Sequence, residues 1–234
     1  MTRIFLKLAV SFVTFSIGVG VTAIYWIYRL PDATLPQITP IVQRYSCFPG
    51  LSVKVAKSTS QTEYFPVALS ENARSAEFVN EWYSGQLKAM NELPLSALEN
   101  EDESYRFLWL RTFHQPISIH VWRKGDRHFI TVKRLNGQGG YEPGTFDLYW
   151  ARSLSENEWD GFMMHLEHSE YWLMPTQNDR MLLDGAQWIM EAYRDGRYHV
   201  VDRQSPEPSA YRDACMYLLR KSALLAEIPA NEVY

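Results

Sequence analysis

Residues 116–134 read PISIHVWRKGDRHFITVKR, and this stretch decides the fold. Apolar and polar side chains alternate on both sides of Gly125-Asp126, a pattern typical of two antiparallel strands joined by a two-residue turn. Such a turn places Val121 opposite Ile130 on the apolar face. A slip of one residue would move the apolar side chains to the other face, so their burial helps to fix the register. The predicted strands are 116–123 and 127–134, with Ile119 opposite Val132, His120 opposite Thr131 and Trp122 opposite Phe129.

A second hairpin is predicted at 186–203, where Asp195-Gly196 favours a type I′ turn. Alternating residues over 104–110 and over 146–150 predict two further strands. We therefore expect an antiparallel sheet of hairpins and meander strands.

Helical spacing of apolar residues predicts about three amphipathic helices that cover this sheet. Ser155 and Glu158 form a capping box at the start of one helix, and Ser209 can cap another. Together these patterns indicate an α+β fold, preceded by one transmembrane helix. The predicted helices are 73–90, 156–168 and 209–225, and short strands are also expected at 51–55 and 64–69.

The N-terminal residues 8–28, LAVSFVTFSIGVGVTAIYWIY, carry no charge and follow Arg3 and Lys7. At about 1.5 Å per helical residue, this run reaches about 30 Å, enough to cross the hydrocarbon core of a membrane. It is longer than the apolar region of a typical signal peptide, which favours a retained anchor over cleavage after Ala23. The positive charges before the span predict that the N-terminus lies inside. Export after cleavage near Ala23 stays open as the alternative.

The chain divides into four predicted parts. An anchor occupies 1–29, and an extended linker with several prolines follows at 30–50. A single extracytoplasmic α+β domain is expected at 51–226, a length sufficient for a full hydrophobic core. Residues 227–234 are expected to form a frayed tail. In a bacterial cell this arrangement would hold the domain outside the cytoplasmic membrane.

The charge pattern excludes some partners. The net charge is -4, and no broad basic field is present to hold a phosphate backbone, so nucleic acid is not expected as a partner. The acidic run ENEDE at 99–103 is interpreted as a solvated loop. The segment NGQGGYEPG at 136–144 lacks both the GxxxxGK[ST] and the GxGxxG patterns, so we interpret it as a strand connection rather than a phosphate-binding loop. No cofactor is predicted.

Neither the cysteines nor the clustered histidines predict a metal site. Cys47 and Cys215 are the only cysteines, and outside the cytoplasm they could form a disulfide or stay separate thiols. Neither belongs to a C-x-x-C motif, which disfavours zinc. His165 and His168 are three apart on a predicted helix, whereas zinc sites on one helix usually use a spacing of four, so we expect a solvated helix face.

The second hairpin contains groups that acid–base catalysis would need, namely Glu191, His199 and Asp202. Its register places His199 on one face and both carboxylates on the other, so the hairpin alone cannot assemble a histidine–carboxylate pair. In a competing structural role, Arg203 would stack on Trp188 and Asp202 would accept backbone hydrogen bonds. Trp188, His199 and Arg203 are also the candidate binding residues.

The same region carries a resemblance. LLDGAQWIME at 182–191 followed by DGRYHVVDRQSP at 195–206 resembles a pattern of uncharacterised bacterial proteins that are membrane-anchored or exported. The similarity extends over 105–225 and includes GGYEPG at 139–144, although this chain has Gln204 where the pattern often has Trp. The resemblance implies a single domain behind an N-terminal signal or anchor, and it implies no particular activity.

We therefore expect a membrane-anchored extracytoplasmic binding or interaction module of unknown ligand, non-enzymatic, with an envelope protein as its candidate partner. Aromatic residues make up 14% of the chain, and no coherent catalytic set accompanies them. Two alternatives stay open. One is an envelope hydrolase that uses Glu191, His199 or Asp202, and the other is an immunity or inhibitor protein against an envelope-acting toxin.

Overall fold

The computed structural model describes residues 64–66, 69, 73–97, 101–178 and 184–234. Within these residues, six strands and three α-helices form an α+β fold, as predicted. The strands are β1 (Glu103–Arg111), β2 (Ile117–Lys124), β3 (Arg127–Leu135), β4 (Phe146–Leu154), β5 (Ala186–Arg194) and β6 (Arg197–Gln204), and the helices are α1 (Ala73–Ala89), α2 (Glu156–His168) and α3 (Ala210–Lys221). All neighbouring strands are antiparallel, in the order β4-β3-β2-β1-β5-β6.

Both predicted hairpins are confirmed together with their registers. Asp195 and Gly196 have φ angles of 53° and 72°, and two positive values are what a type I′ turn requires. In the β2–β3 turn, Gly125 has a φ of 56° and Asp126 does not have a positive value, which matches type II′. The confirmed pairs include Ile119 with Val132, Val121 with Ile130, Trp188 with Arg203 and Met190 with Val201.

Strand β1 is buried along its whole length because helices cover both faces of the sheet. Tyr105 and Phe107 belong to the core that α2 and α3 complete. Leu108 and Leu110 belong to a second core, which α1 completes from the other face. Burial on both faces explains why the four consecutive β1 residues Phe107–Leu110 are all apolar instead of alternating with polar ones.

Local signals set the helix ends. The predicted capping box at the start of α2 is present, with both the Ser155 and the Glu158 side-chain bonds formed. The third helix ends at Lys221 rather than at residue 225. Ala223 has a φ of 61°, and a left-handed residue at this position stops an α-helix.

Residues 224–234, here called the 224–234 segment, pack on the domain, which differs from the frayed tail expected at 227–234. Leu224 is buried in the core beside α3. A 3₁₀ turn follows at Ala230–Glu232. Two hydrogen bonds to carbonyl groups tie its last residues down, from Trp188 Nε1 to Tyr234 O (2.9 Å) and from Arg212 Nη2 to Val233 O (2.9 Å).

Some other sequence predictions differ from the structure, and some lie outside the described residues. Residues 64–66 and 69 are not in a strand; Tyr64, Phe65 and Leu69 instead pack into the core beneath α1. In the described part of the chain, no helix has both the length and the apolar character needed to cross a membrane. The described residues belong to one compact unit, Ser46–Tyr234. The expectations outside the described residues are the anchor at 8–28, the linker at 30–50, the strand at 51–55 and Cys47.

Candidate functional site

Glu191 lies in a buried ion pair beneath α1. Its Oε2 accepts a hydrogen bond from Arg106 Nε at 2.7 Å and lies 2.6 Å from Arg106 Nη2. Its Oε1 accepts from the Tyr198 hydroxyl at 2.9 Å. Both members of the ion pair have 0% side-chain exposure. Burial raises the pKa of Glu191, although the Arg106 guanidinium acts in the opposite direction.

The same arginine is shared with a second carboxylate. Arg106 Nη1 donates to Leu93 O at 2.7 Å and lies 3.6 Å from Glu92 Oε2. Lys133 Nζ lies 3.1 Å from the other Glu92 oxygen. Burial acts to raise the pKa of Glu92, but Lys133 and Arg106 outweigh it and the pKa is lowered. This network joins the chain after α1 to the sheet, which is a structural role.

Asp202 lies on the same face but is held by a neutral donor. Its Oδ2 accepts from the Tyr83 hydroxyl of α1 at 2.8 Å. Burial raises the pKa of Asp202 from 3.8 to about 6, although hydrogen bonds from Tyr83 and Gln177 act to lower it. The donors are therefore side chains and not the backbone groups expected from the sequence. The Asp202 N–H itself donates to Thr176 O at 2.7 Å.

His199 lies on the opposite face of the sheet. Its ring stacks on Trp172, with centroids 5.8 Å apart. Burial lowers the pKa of His199, while hydrogen bonds to the backbone of Tyr171 and Met174 act to raise it. The imidazole is packed against the 3₁₀ turn at Tyr171–Leu173. The fold keeps it apart from Glu191 and Asp202, as the predicted register requires.

The predicted stacking of Arg203 on Trp188 is not found. Arg212 of α3 lies over the Trp188 ring at 5.0 Å, and Arg203 lies over Tyr211 at 5.9 Å. The reason is that α3 packs on this face and brings its own arginine to the indole. Arg203 instead donates to carbonyl oxygens at 175–176, at distances of 2.8 and 3.0 Å. Trp188 and Arg203 therefore anchor neighbouring segments.

The remaining metal and redox candidates do not come together either. His165 packs beside Tyr217, with ring centroids 5.1 Å apart, and His168 is exposed. Among the described residues, no group of three or more His, Cys, Asp or Glu side chains is placed to hold a metal ion. Cys215 is buried, and this burial raises the pKa of its thiol. Because Cys47 is not described, both alternatives, a disulfide and two separate thiols, stay open.

A serine–histidine contact absent from the sequence prediction lies on the α1 face. Ser104 Oγ is 2.6 Å from His120 Nε2, and Glu101 Oε2 is 3.3 Å from the same nitrogen. In a hydrolase triad, the carboxylate bonds the other ring nitrogen and so orients the histidine as a base. Ser104 is also fully buried. This contact therefore lacks the geometry of an activated nucleophile.

A cavity of about 400 Å³ opens at the end of the sheet where β1 leads into β2. Three parts of the chain meet there: the β1–β2 connection, the end of β3 with the loop that follows it, and the 224–234 segment. We call this cavity the end pocket. Its lining residues are Arg111, Phe113, His114, Gln115, Ile117, Arg134, Asn136, Gly137, Gln138, Glu227, Ile228 and Glu232.

Arg111 is the most deeply placed cation of the end pocket, with 3% of its side chain exposed. Its guanidinium lies over the Trp109 ring at 4.4 Å, and Nη1 is 3.3 Å from Glu232 Oε2. Burial lowers the pKa of Arg111, although Glu232 acts to raise it. Its Nε has no hydrogen-bond partner among the described residues. This Nε is itself buried, so the donors of Arg111 that can meet a carboxylate are at the Nη1 end of the guanidinium, where Glu232 lies.

Arg134 extends the cationic wall, and His114 lies beside it. Arg134 Nε donates to Asp147 at 2.6 Å, and Nη1 donates to Glu227 at 2.9 Å. His114 Nε2 lies 3.3 Å from Glu232 Oε2. The chemistry of this wall suits carboxylate or other oxyanion groups, because planar guanidinium groups bind them with several parallel donors.

The 136–144 loop shapes the end pocket through its backbone. It connects β3 to β4, as predicted, and its N–H groups bond to the chain itself instead of pointing into an anion site. A Cβ at Gly139 would lie 2.7 Å from Arg111 O, so only glycine permits this close approach to β1. The bonds run from Gly137 N to Pro143 O, Gln138 N to Glu142 O, Gly139 N to His114 O and Gly140 N to Thr112 O.

Two exposed aromatic side chains lie beside the end pocket. Phe113, which lines it, is 52% exposed, and Tyr141 is 57% exposed with its ring centroid 6.2 Å from that of Phe113. Large apolar side chains beside a charged concave surface are typical of a site that meets a partner.

Sequence reasoning missed Arg111, His114 and Arg134 because the fold brings the end of β3 and the 224–234 segment to the end of β1, and these parts are distant in the chain. The one local signal was the glycine-rich loop, which indicates close backbone approach but does not name the neighbouring side chains. No protein-family model matches the chain. A search of curated proteins likewise gives no match.

Proposed function

We propose that this chain is a membrane-anchored extracytoplasmic binding module, non-enzymatic, whose binding site is the end pocket. The observation that carries the proposal is the joint presence of Arg111, Arg134 and His114 in one concave surface with exposed aromatic side chains beside it. Arginine and aromatic side chains supply much of the binding energy at protein interfaces.

A hydrolase based on Glu191, His199 and Asp202 is the less supported alternative. Acid–base chemistry needs its groups within hydrogen-bond distance of one substrate. His199 lies on one face of the sheet and the two carboxylates lie on the other. Arg106 and Tyr83 already engage these carboxylates. Structural roles in packing and hydrogen bonding therefore account for Glu191, His199 and Asp202 without a catalytic reaction.

The anchor and the compartment belong to the same proposal. The uncharged run at 8–28 and the preceding Arg3 and Lys7 support a single span with its N-terminus inside. The domain would then meet partners in the envelope. An immunity or inhibitor protein against an envelope-acting toxin is one module of this kind.

Site-specific photocrosslinking in intact cells tests the proposal. A photoreactive phenylalanine analogue at Phe113 is expected to give a discrete adduct, and Arg134→Gln in the same chain is expected to abolish it. The control carries the analogue at exposed Asp126, in the turn at the opposite end of the sheet, and is expected to give no such adduct. The proposal fails if Phe113 gives no adduct, if both positions give the same one, or if Arg134→Gln leaves it unchanged while the protein stays folded.

A further inference from the structure

The end pocket already holds two carboxylates that come from the chain itself. Glu227 accepts a hydrogen bond from Arg134 Nη1 at 2.9 Å. Glu232 lies 3.3 Å from Arg111 Nη1 and 3.3 Å from His114 Nε2. Both glutamates belong to the 224–234 segment, so the cationic wall faces a short acidic stretch of polypeptide.

The ion pairs that hold Glu227 and Glu232 in the end pocket are partly exposed to solvent. The Glu227 side chain is 42% exposed and that of Glu232 is 30% exposed. Ion pairs of such exposure contribute little to stability and are screened by salt. A second carboxylate-bearing segment would therefore replace these contacts at low cost, provided that it supplies a carboxylate to the buried Arg111.

The pocket also has capacity beyond its internal occupant. About 400 Å³ stays open beside the two glutamates. Arg134 also contacts Asp147, so the two arginines already face three carboxylates, and an acidic ligand would exchange with Glu227 and Glu232 instead of adding to them.

We propose that the end pocket recognises an acidic segment of a partner protein, and that residues 227–232 act as an internal competitor for that segment. This inference rests on the proposed function, because it names the ligand class of the same pocket. A tethered competitor has a high effective concentration, so only a segment with better-matched carboxylates displaces it. This competition would raise the selectivity of the end pocket for its partner over unrelated acidic peptides.

A peptide with the segment's own sequence is the direct probe. Fluorescein-labelled LLAEIPANEVY, which reproduces residues 224–234, is titrated into the full-length protein and into its E227Q/E232Q variant, with fluorescence anisotropy as the readout. The variant is expected to bind the peptide about tenfold more tightly than wild type, because the tethered competitor is weakened. The peptide LLAQIPANQVY is expected to bind the variant about tenfold more weakly than the acidic peptide does.

A third substitution and two small anions complete the test. Adding Arg134→Gln to E227Q/E232Q should remove the preference for the acidic peptide, and thermal unfolding checks that each variant is folded. The inference is overturned if both peptides bind the variant equally, if wild type and variant bind alike, or if stoichiometric phosphate or succinate displaces the peptide at constant ionic strength. Absence of peptide binding with an intact Phe113 adduct overturns the acidic-segment inference alone. Loss of that adduct overturns the binding module itself.

Discussion

The two buried carboxylates on the α1 face of the sheet differ in the partners that hold them. Glu191 contacts the guanidinium of Arg106, whereas Asp202 contacts the phenol of Tyr83. A neutral donor compensates a buried negative charge less than a cation does. Asp202 is therefore the acid whose ionisation should most visibly couple folding to pH.

Replacing Asp202 with Asn is expected to stabilise the protein above pH 6. Its pKa is raised from 3.8 to about 6, so between these values the folded state binds more protons than the unfolded state. The free energy of unfolding therefore falls as the pH rises through this window, and the contribution lost is about 3 kcal/mol at most. Asn keeps an acceptor for the Tyr83 hydroxyl.

Urea unfolding at pH 4 and pH 8 measures this effect. Asp202→Asn should be more stable than wild type at pH 8, and the difference should shrink at pH 4. Asp126→Asn, at an exposed turn position, serves as the control and should change neither value. A variant less stable than wild type at pH 8 would mean that the hydrogen bonds to the carboxylate outweigh the cost of its burial.

Among the elements, the 136–144 loop depends most on one residue. Gly139→Ala would place a Cβ 2.7 Å from Arg111 O and 2.8 Å from Leu110 Cα, both backbone atoms that cannot swing aside. Movement of the loop would also weaken the bond from Trp82 Nε1 to Gly139 O, now 2.8 Å long. We expect a loss of about 1–3 kcal/mol in the free energy of unfolding.

Gly85→Ala is the matched control for that substitution. Gly85 lies inside α1, and an added Cβ would meet no atom within 4 Å. Alanine in a helix interior should therefore raise the free energy of unfolding by about 0.5–1 kcal/mol. Chemical denaturation measures both variants. The same Gly-to-Ala substitution is expected to lower the free energy of unfolding at position 139 and to raise it at position 85. Equal stability of Gly139→Ala and wild type would show that the loop does not pack closely against β1.

For the whole molecule, local patterns predicted elements well and predicted contacts between elements poorly. The Gly125-Asp126 and Asp195-Gly196 turns determine the registers of both hairpins, because a two-residue loop leaves one pairing that buries the apolar faces. The end pocket depends on which residues of separate connections meet, and no period in the sequence encodes that. The sequence predicted Arg203 over Trp188, whereas the structure places Arg212 there. This contact also depends on packing between elements, because α3 brings Arg212 to the indole.

Anchoring is the property of the whole molecule that the sequence predicts most directly. The full-length chain is expected to fractionate with membranes, to begin at Met1 and to keep a reporter fused after Tyr234 outside the cytoplasm, because 8–28 is uncharged and the positive charges precede it. Fractionation, N-terminal sequencing and an alkaline phosphatase fusion measure these three properties. V13R/I17R should release the protein from the membrane fraction, since each central arginine costs about 2.5–3.5 kcal/mol of insertion. A soluble product that begins after Ala23 would replace the anchor with a signal peptide, and an inactive fusion would reverse the predicted orientation.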